Sequence, residues 1–164
     1  MASFFPITGT ISQIEPMQSS SGGWCGCSLL ISVTTPCQGM VNLVVTPYTY
    51  IFNQEPLQAG DSITAFYDAS APAPLIFPPQ NRVTAIVKNM EGRMADLSYY
   101  DGNLVNAAGT LQLTISDSTV IACPNGQTFY GTPGDHYLLV LYSSSTRSMP
   151  AQTSPDAVVV FCWA

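Results

Sequence analysis

The sequence predicts an all-β protein made of two small units packed together, each an OB-like barrel or a sandwich of about five strands. Three observations favour this fold class. Short runs of β-branched and aromatic residues are separated by 13 prolines and 12 glycines, which are spread along the 164 residues. No segment carries an apolar stripe at helical spacing between capping residues. Finally, one order of strands and turns occurs twice along the chain.

Eleven segments are predicted as strands because they combine β-branched or aromatic residues with flanking turn residues. Leu111, Leu113 and Ile115, for example, alternate with polar residues, which is typical of a half-buried strand. In chain order the predicted strands span residues 7–14, 28–34, 40–45, 49–52, 62–67, 83–88, 94–99, 110–115, 119–123, 137–142 and 157–161.

The internal repeat aligns residues 41–51 with residues 111–121, which places Thr49 on Thr119. A Gly-Asp pair and then a proline-rich loop follow in the same order in each copy, and each copy closes with a β-branched run. This shared order predicts a duplication of one small unit.

The repeat suggests how the chain is divided. We expect an N-terminal extension over residues 1–9, a first β unit over residues 10–90 and a second β unit over residues 91–164. The first unit carries an insertion over residues 17–38, which contains Trp24 and three of the cysteines. Whether the units are two separate barrels or one fused sandwich stays open at this point.

The chain carries few charges, and most of them are acidic. There are 4 Lys and Arg residues against 10 Asp and Glu, so the net charge is -6. Four basic side chains are too few for the basic surface that binding to nucleic acid or to an anionic membrane requires. The longest fully apolar run, residues 157–164, is too short to cross a bilayer. We therefore expect no nucleic-acid partner and no membrane insertion.

No catalytic residue, cofactor or metal site is predicted. His136 is the one histidine, and its place after a Gly-Asp pair favours a turn or strand-edge position. Asp61 and Asp135 hold corresponding positions in the repeat, which favours a role in turns over a pair of catalytic carboxylates. The Cys-x-Cys spacing of Cys25 and Cys27 does not match the usual zinc motifs. We therefore expect that the protein is not an enzyme.

The number of cysteines is odd, so they cannot all pair within one chain. Cys25 and Cys27 lie in a Gly/Ser-rich stretch that is expected to be exposed, whereas Cys123 and Cys162 could be buried free thiols. In oxidising surroundings an exposed thiol could crosslink neighbouring copies. The candidate crosslinking residues are Cys25, Cys27, Cys37, Cys123 and Cys162.

The leading functional prediction is a structural subunit that assembles with copies of itself into an extracellular or spore-surface filament or layer. A single lysine gives strand edges little protection by charge, so edges could pair between chains. The apolar N-terminus could also fill a groove on the next subunit. The residues of this candidate anchor are Met1, Phe4, Phe5 and Pro6.

The alternative prediction is a non-catalytic module that binds a glycan or another ligand at the cell surface. Proline-rich loops and aromatic rings could form a platform on which a sugar stacks, although packing in a core explains the same aromatic residues. The candidate platform residues are Trp24, Phe77, Tyr99 and Tyr100.

Three stretches carry a resemblance to a known family: GDSITAFYD at residues 60–68, PAPLIFPPQ at residues 72–80 and TRSMPAQTSP at residues 146–155. They resemble an uncharacterised β-domain family of anaerobic Gram-positive bacteria, related to domains of secreted or cell-surface proteins. The resemblance covers about residues 40–161. It implies a surface or spore-associated setting and attachment there, and it implies no catalytic residues.

The first 20 residues contain no Lys or Arg, so no secretory signal peptide is predicted. We expect synthesis in the cytosol and a final location outside the cell or on the spore surface.

Overall fold

The computed structural model describes residues 2–17, 26–72, 75–76 and 78–163. This part of the chain is all-β, with twelve strands and one short 3-10 segment, Phe52–Gln54. The chain divides into two compact units, Met1–Asn89 (unit 1) and Met90–Ala164 (unit 2). The all-β fold class predicted from the sequence is therefore confirmed.

Unit 1 contains a closed barrel of five strands. The ring runs β1-β2-β3-β6-β5 and back to β1, and each neighbouring pair is antiparallel except β3 with β6. A short sixth strand, β4, pairs with β6 outside the ring. The closure makes this unit a small OB-like barrel. The strands are β1 (Phe4–Pro16), β2 (Leu29–Thr35), β3 (Gly39–Val45), β4 (Tyr50–Ile51), β5 (Ser62–Asp68) and β6 (Gln80–Lys88).

The long strand β1 joins the two sides of this barrel. Its first half pairs with β5 from Phe4 to Thr10, and its second half pairs with β2 from Thr10 to Pro16. Residues 4–9, which were expected to form part of a free extension, therefore lie in a strand, and that expectation is wrong. Phe4, Phe5 and Pro6 of the predicted anchor are likewise paired with β5 of the same chain.

The core of unit 1 follows from alternation along its strands. In β2 and β3 every second side chain is buried, as the sequence pattern predicts for strands with one face toward a core. The buried cluster contains Ile7, Ile11, Ile31, Val33, Val41, Leu43, Val45, Ile63, Ala65, Val83 and Ile86.

Unit 2 repeats much of this arrangement with shorter strands. One sheet has the order β7-β10-β12-β9, and a second sheet pairs β8 with β11 in parallel. Its buried cluster consists of Tyr100, Leu111, Leu113, Leu138, Val140, Val158 and Val160. The strands are β7 (Met94–Tyr100), β8 (Leu111–Leu113), β9 (Val120–Ala122), β10 (His136–Tyr142), β11 (Ala151–Thr153) and β12 (Ala157–Phe161).

Corresponding hydrogen bonds occur within each of the two units. The Thr49 hydroxyl donates to the Val83 carbonyl at 3.0 Å, and the Thr119 hydroxyl donates to the Pro155 carbonyl at 2.7 Å. Each hydroxyl also accepts from the backbone N–H three residues earlier, at 3.1 and 3.3 Å. The strand after each threonine, β4 or β9, then pairs in parallel with the closing strand of its unit.

Eleven of the twelve strands overlap segments predicted from the sequence. The twelfth, β11, lies inside the proline-rich loop 144–155, where the density of turn residues hides it. In unit 2, β8 pairs with β11 and β9 pairs with β12, whereas in unit 1 the single strand β6 pairs with both β3 and β4. The copies therefore differ in that the second closing strand is interrupted.

Candidate functional site

A groove of about 620 Å³ lies on unit 1, and we call it the Tyr67 groove. Strands β1, β3, β5 and β6 and the start of the loop after β5 contribute its walls. The lining residues are Phe5, Met17, Val44, Tyr67, Asp68, Ala69, Ala71, Pro72, Gln80, Asn81, Arg82 and Thr84.

The topology of the barrel explains why a groove forms at this place. In five-stranded barrels of the OB type, ligands bind on the face of strands 2 and 3, beside the loop between strands 1 and 2 and the loop between strands 4 and 5. Met17 begins the first of these loops, and the residues from Ala69 to Pro72 begin the second, since β5 and β6 are the fourth and fifth ring strands. The Tyr67 groove therefore lies beside the starts of both loops, with walls from β1, β3, β5 and β6.

Two aromatic rings form one side of the groove. Phe5 of β1 and Tyr67 of β5 are directly opposite each other in the strand register. Their ring centroids are 6.4 Å apart and their planes are inclined by 84°, which is the edge-to-face arrangement that aromatic pairs favour. Tyr67 packs against the core, whereas 53% of Phe5 is exposed. The pair offers a supported apolar surface to a ligand.

Polar side chains from β6 also line the groove. Val83 is buried in the core, and because side chains alternate along a strand, Gln80 and Arg82 face away from the core. Thr84 continues the row. Among the described residues, the side chains of Gln80, Arg82 and Thr84 have no hydrogen-bond or ion-pair partner. An amide, a guanidinium and a hydroxyl are therefore available to a ligand at one wall of the groove.

Asp68 lies at the edge of the groove, where its carboxylate binds the start of the loop after β5. Its carboxylate Oδ1 accepts hydrogen bonds from the Ser3 N–H at 3.2 Å, the Ser70 N–H at 2.9 Å and the Ser70 hydroxyl at 2.6 Å. Burial raises the pKa of Asp68, but the hydrogen bonds from Ser70 and Ser3 outweigh it and lower the pKa below its usual value. Asp68 thus remains ionised and fixes the start of the loop after β5.

The structure disperses the aromatic residues that were predicted as a ligand platform. Trp24 and Phe77 lie outside the described residues, as does Met1 of the predicted anchor. Tyr99 is half-buried on β7. Tyr100 is fully buried, and its hydroxyl donates to the Asp96 carboxylate at 2.6 Å. The expectation that Tyr100 contacts a ligand is therefore wrong, because this ring belongs to the core of unit 2.

The structure describes four of the five cysteines that were predicted as crosslinking candidates. Cys25 lies outside the described residues. Cys27, Cys37 and Cys162 are exposed, and Cys123 is half-buried. These four thiols are free, so no disulfide joins described cysteines within the chain. A buried free thiol was one of two readings of Cys162, but this cysteine is exposed just beyond the end of β12.

In the parts of the chain that the structure describes, no three His, Cys, Asp or Glu side chains are grouped so that they could hold a metal ion. Within the same parts, no helix has the length and apolar character needed to span a lipid bilayer.

Comparisons with known proteins identify no relative: no family model, no curated protein and no solved structure matches the chain. The resemblance to a β-domain family of anaerobic Gram-positive bacteria therefore remains a prediction.

Sequence reasoning did not single out Tyr67 or the polar row on β6 as candidate site residues. One signal was present in the sequence, since Gln80, Arg82 and Thr84 recur at every second residue beside the apolar Val83. Arg82 is also one of only four basic residues. That these side chains line one groove with Phe5 depends on the pairing of the barrel strands, which residue spacing does not show.

Proposed function

We propose that unit 1 is a non-catalytic module that binds an acidic oligosaccharide in the Tyr67 groove. The observation that carries this proposal is that unpartnered polar side chains and the Phe5–Tyr67 ring pair line one groove. Binding sites for small ligands combine an apolar surface with a few placed polar groups in this way.

The chemistry of the groove suits a sugar. Amide and hydroxyl groups such as those of Gln80 and Thr84 exchange hydrogen bonds with sugar hydroxyls, and the C–H face of a sugar ring packs on an aromatic ring such as Tyr67. The guanidinium of Arg82 can donate two parallel hydrogen bonds to a carboxylate. A saccharide with a uronic acid residue presents all three complementary features.

The sparse basic charge argues against a more densely charged ligand. A nucleic-acid strand carries one phosphate on every nucleotide, and binding it needs several basic side chains along the track. The chain has four basic residues in 164, and the Tyr67 groove contains one of them, Arg82. The groove also contains the Asp68 carboxylate, which already accepts hydrogen bonds from Ser3 and Ser70. A single guanidinium beside neutral polar groups and this occupied carboxylate fits a ligand that carries an occasional acidic group.

Arg82→Ala is expected to weaken binding of a galacturonic acid hexamer by about tenfold or more, because a hydrogen bond to a charged group contributes about 1.5–3 kcal/mol. The measurement is isothermal titration calorimetry on the full chain. Lys88→Ala is the matched control, since it removes the same charge from the same strand outside the groove. Equal affinities for Arg82→Ala and the unmodified protein, or no binding of the hexamer at all, would refute the proposal.

A second candidate function, self-association at the cell or spore surface, is favoured by the exposure of Cys27, Cys37 and Cys162. Exposed thiols form intermolecular disulfides in oxidising surroundings. Pairing of bare strand edges supports it less in unit 1, since the closed ring of this unit occupies the edges of its five barrel strands.

After oxidation, the protein is expected to form disulfide-linked dimers and larger oligomers, and a reductant is expected to convert them back to monomers. Non-reducing gels and sedimentation velocity measure this. A variant with serine at Cys25, Cys27, Cys37 and Cys162 should lose these species, whereas Cys123→Ser should keep them because Cys123 is half-buried. Persistence of the ladder in the fourfold variant would show that these thiols do not form the crosslinks.

A further inference from the structure

Unit 2 carries an aromatic row that the Tyr67 groove does not involve. Tyr137 of β10 lies opposite Tyr99 of β7 on one side and opposite Phe161 of β12 on the other. The Tyr99 and Tyr137 ring centroids are 5.4 Å apart, and the Tyr137 and Trp163 centroids are 5.1 Å apart. We call Tyr99, Tyr137 and Trp163 the aromatic platform.

A buried ring packs against one member of this platform. Phe161 is only 4% exposed and stacks on the Trp163 indole, with ring centroids 4.8 Å apart and planes inclined by 29°. Trp163 itself remains 47% exposed. One indole face is thus held by Phe161, and the tryptophan is fixed in place while much of its surface stays in water. Preorganised aromatic surfaces bind with a small loss of side-chain entropy.

A carboxylate lies at the rim of the platform. The Tyr99 hydroxyl donates to Asp135 Oδ1 at 3.4 Å, and Asp135 is exposed. Burial and the neighbouring Asp135 charge raise the pKa of the Tyr99 hydroxyl, so this group stays a neutral donor. A Cβ on Gly102 would lie 3.6 Å from Asp135 Oδ2, so the glycine brings no side chain against that oxygen. Asp135 can therefore accept hydrogen bonds from a ligand.

We propose that the aromatic platform and Asp135 form a second saccharide site, which takes a neutral sugar. The exposed indole of Trp163 provides a stacking surface for the C–H face of a sugar ring, and Tyr137 and Tyr99 flank it with their planes inclined by 44° and 73° to the next ring in the row. The carboxylate accepts hydrogen bonds from the sugar hydroxyls. An acidic sugar is disfavoured because Asp135 would repel its carboxylate. This ligand class differs from that of the Tyr67 groove, where Arg82 offers the opposite charge.

Trp163 provides its own readout, since the chain has only two tryptophans. In a Trp24→Phe background, its fluorescence reports contact between ligand and platform. The probes are cellohexaose and the hexamer of N-acetylglucosamine, each titrated into the full chain, with the galacturonic acid hexamer as the acidic comparison. At least one neutral hexamer is expected to change the emission in a saturable way, and the acidic hexamer is expected to leave it unchanged.

Calorimetry with the responding hexamer then tests the residues. Trp163→Ala is expected to weaken binding about tenfold, because loss of stacking removes on the order of 1–1.5 kcal/mol. Trp163→Phe should retain most of the affinity, which shows that a folded variant with a ring still binds. Tyr130→Ala is the matched control, since Tyr130 is 94% exposed and lies outside the platform.

Three results would overturn this site: no response to either neutral hexamer, an equal response to the acidic hexamer, or unchanged affinity in Trp163→Ala. Failure of the Tyr67 groove proposal would appear only in the Arg82→Ala titration with the acidic hexamer. The two proposals are therefore tested separately.

Discussion

Replacing Gly9 with alanine is expected to destabilise the protein by about 3 kcal/mol, which lowers its melting temperature on the order of 10 °C. A Cβ at this position would lie 2.4 Å from the Thr34 carbonyl oxygen and 2.7 Å from Val33 Cγ1. The nearer atom belongs to the backbone of β2, which cannot move away as the end of a flexible side chain can. Gly9 thus permits the close approach of β1 and β2 at the point where β1 passes from β5 to β2.

Gly102→Ala is the matched control for this substitution, because its Cβ would meet the nearest atom at 3.6 Å. We expect a change within about 0.5 kcal/mol for this variant. Urea denaturation followed by circular dichroism measures both. If Gly9→Ala proves as stable as Gly102→Ala, then β1 and β2 are farther apart at Gly9 than the structure places them.

Tyr100→Ala is expected to destabilise the protein by about 3–5 kcal/mol, as removal of a large buried aromatic ring generally does. Tyr100 is fully buried in the core cluster of unit 2. Its hydroxyl is also the closest hydrogen-bond donor to the Asp96 carboxylate, at 2.6 Å, while the Asn106 amide donates more weakly at 3.4 Å. The alanine variant therefore leaves a cavity and a poorly satisfied carboxylate together.

Tyr100→Phe separates these two effects, because it keeps the ring and removes only the hydroxyl. We expect a loss of about 1–3 kcal/mol, the usual result of leaving a buried polar group without its partner. Burial raises the pKa of Asp96, although the hydrogen bonds from Tyr100 and Asn106 lower it. The ionised form of this carboxyl is therefore already less favourable than that of an exposed aspartate, and losing the Tyr100 hydroxyl removes one of the groups that stabilise it.

Tyr130→Ala serves as the comparison on the surface, and it should change stability by less than about 0.5 kcal/mol. All three variants are measured by urea denaturation at neutral pH. A Tyr100→Phe protein that matches the unmodified protein would show that the hydroxyl contributes nothing to the core.

The strand pairing in the structure differs from what the composition suggested about free strand edges. Scarce charge suggested a chain whose strand edges pair with other copies, but in unit 1 β1 is paired on both sides. In unit 2, β7 lies at the edge of its sheet and carries Asp96, whose carboxylate is turned toward the Tyr100 hydroxyl. An inward-facing charge of this kind discourages edge pairing.

Local patterns were sufficient for the strands and for the repeat. β3 illustrates this, because Val41, Leu43 and Val45 alternate with exposed or half-buried neighbours and the period of two is readable in any β-strand. The equivalence of Thr49 and Thr119 was also visible as sequence, and their hydrogen bonds follow from it. β11 was missed, since a strand of three residues among prolines leaves no periodic signal.

Local sequence patterns could not show which residues come together in the two candidate sites. Phe5 and Tyr67 are distant in sequence, and only the antiparallel pairing of β1 with β5 places them opposite each other. The same holds for Tyr99, Tyr137 and Trp163, which come from different parts of unit 2. Tyr99 and Tyr100 are adjacent and chemically alike, yet one lies on the platform and the other in the core.

What residue order settled is the class of fold, the strands and the duplication, because each depends on contacts or periods within a few residues. The tertiary structure was needed to identify the candidate binding surfaces and to show that β1 is paired on both sides within the barrel. Those depend on which strands pair across long stretches of chain, and a shift of one residue in such a pairing moves every side chain to the other face.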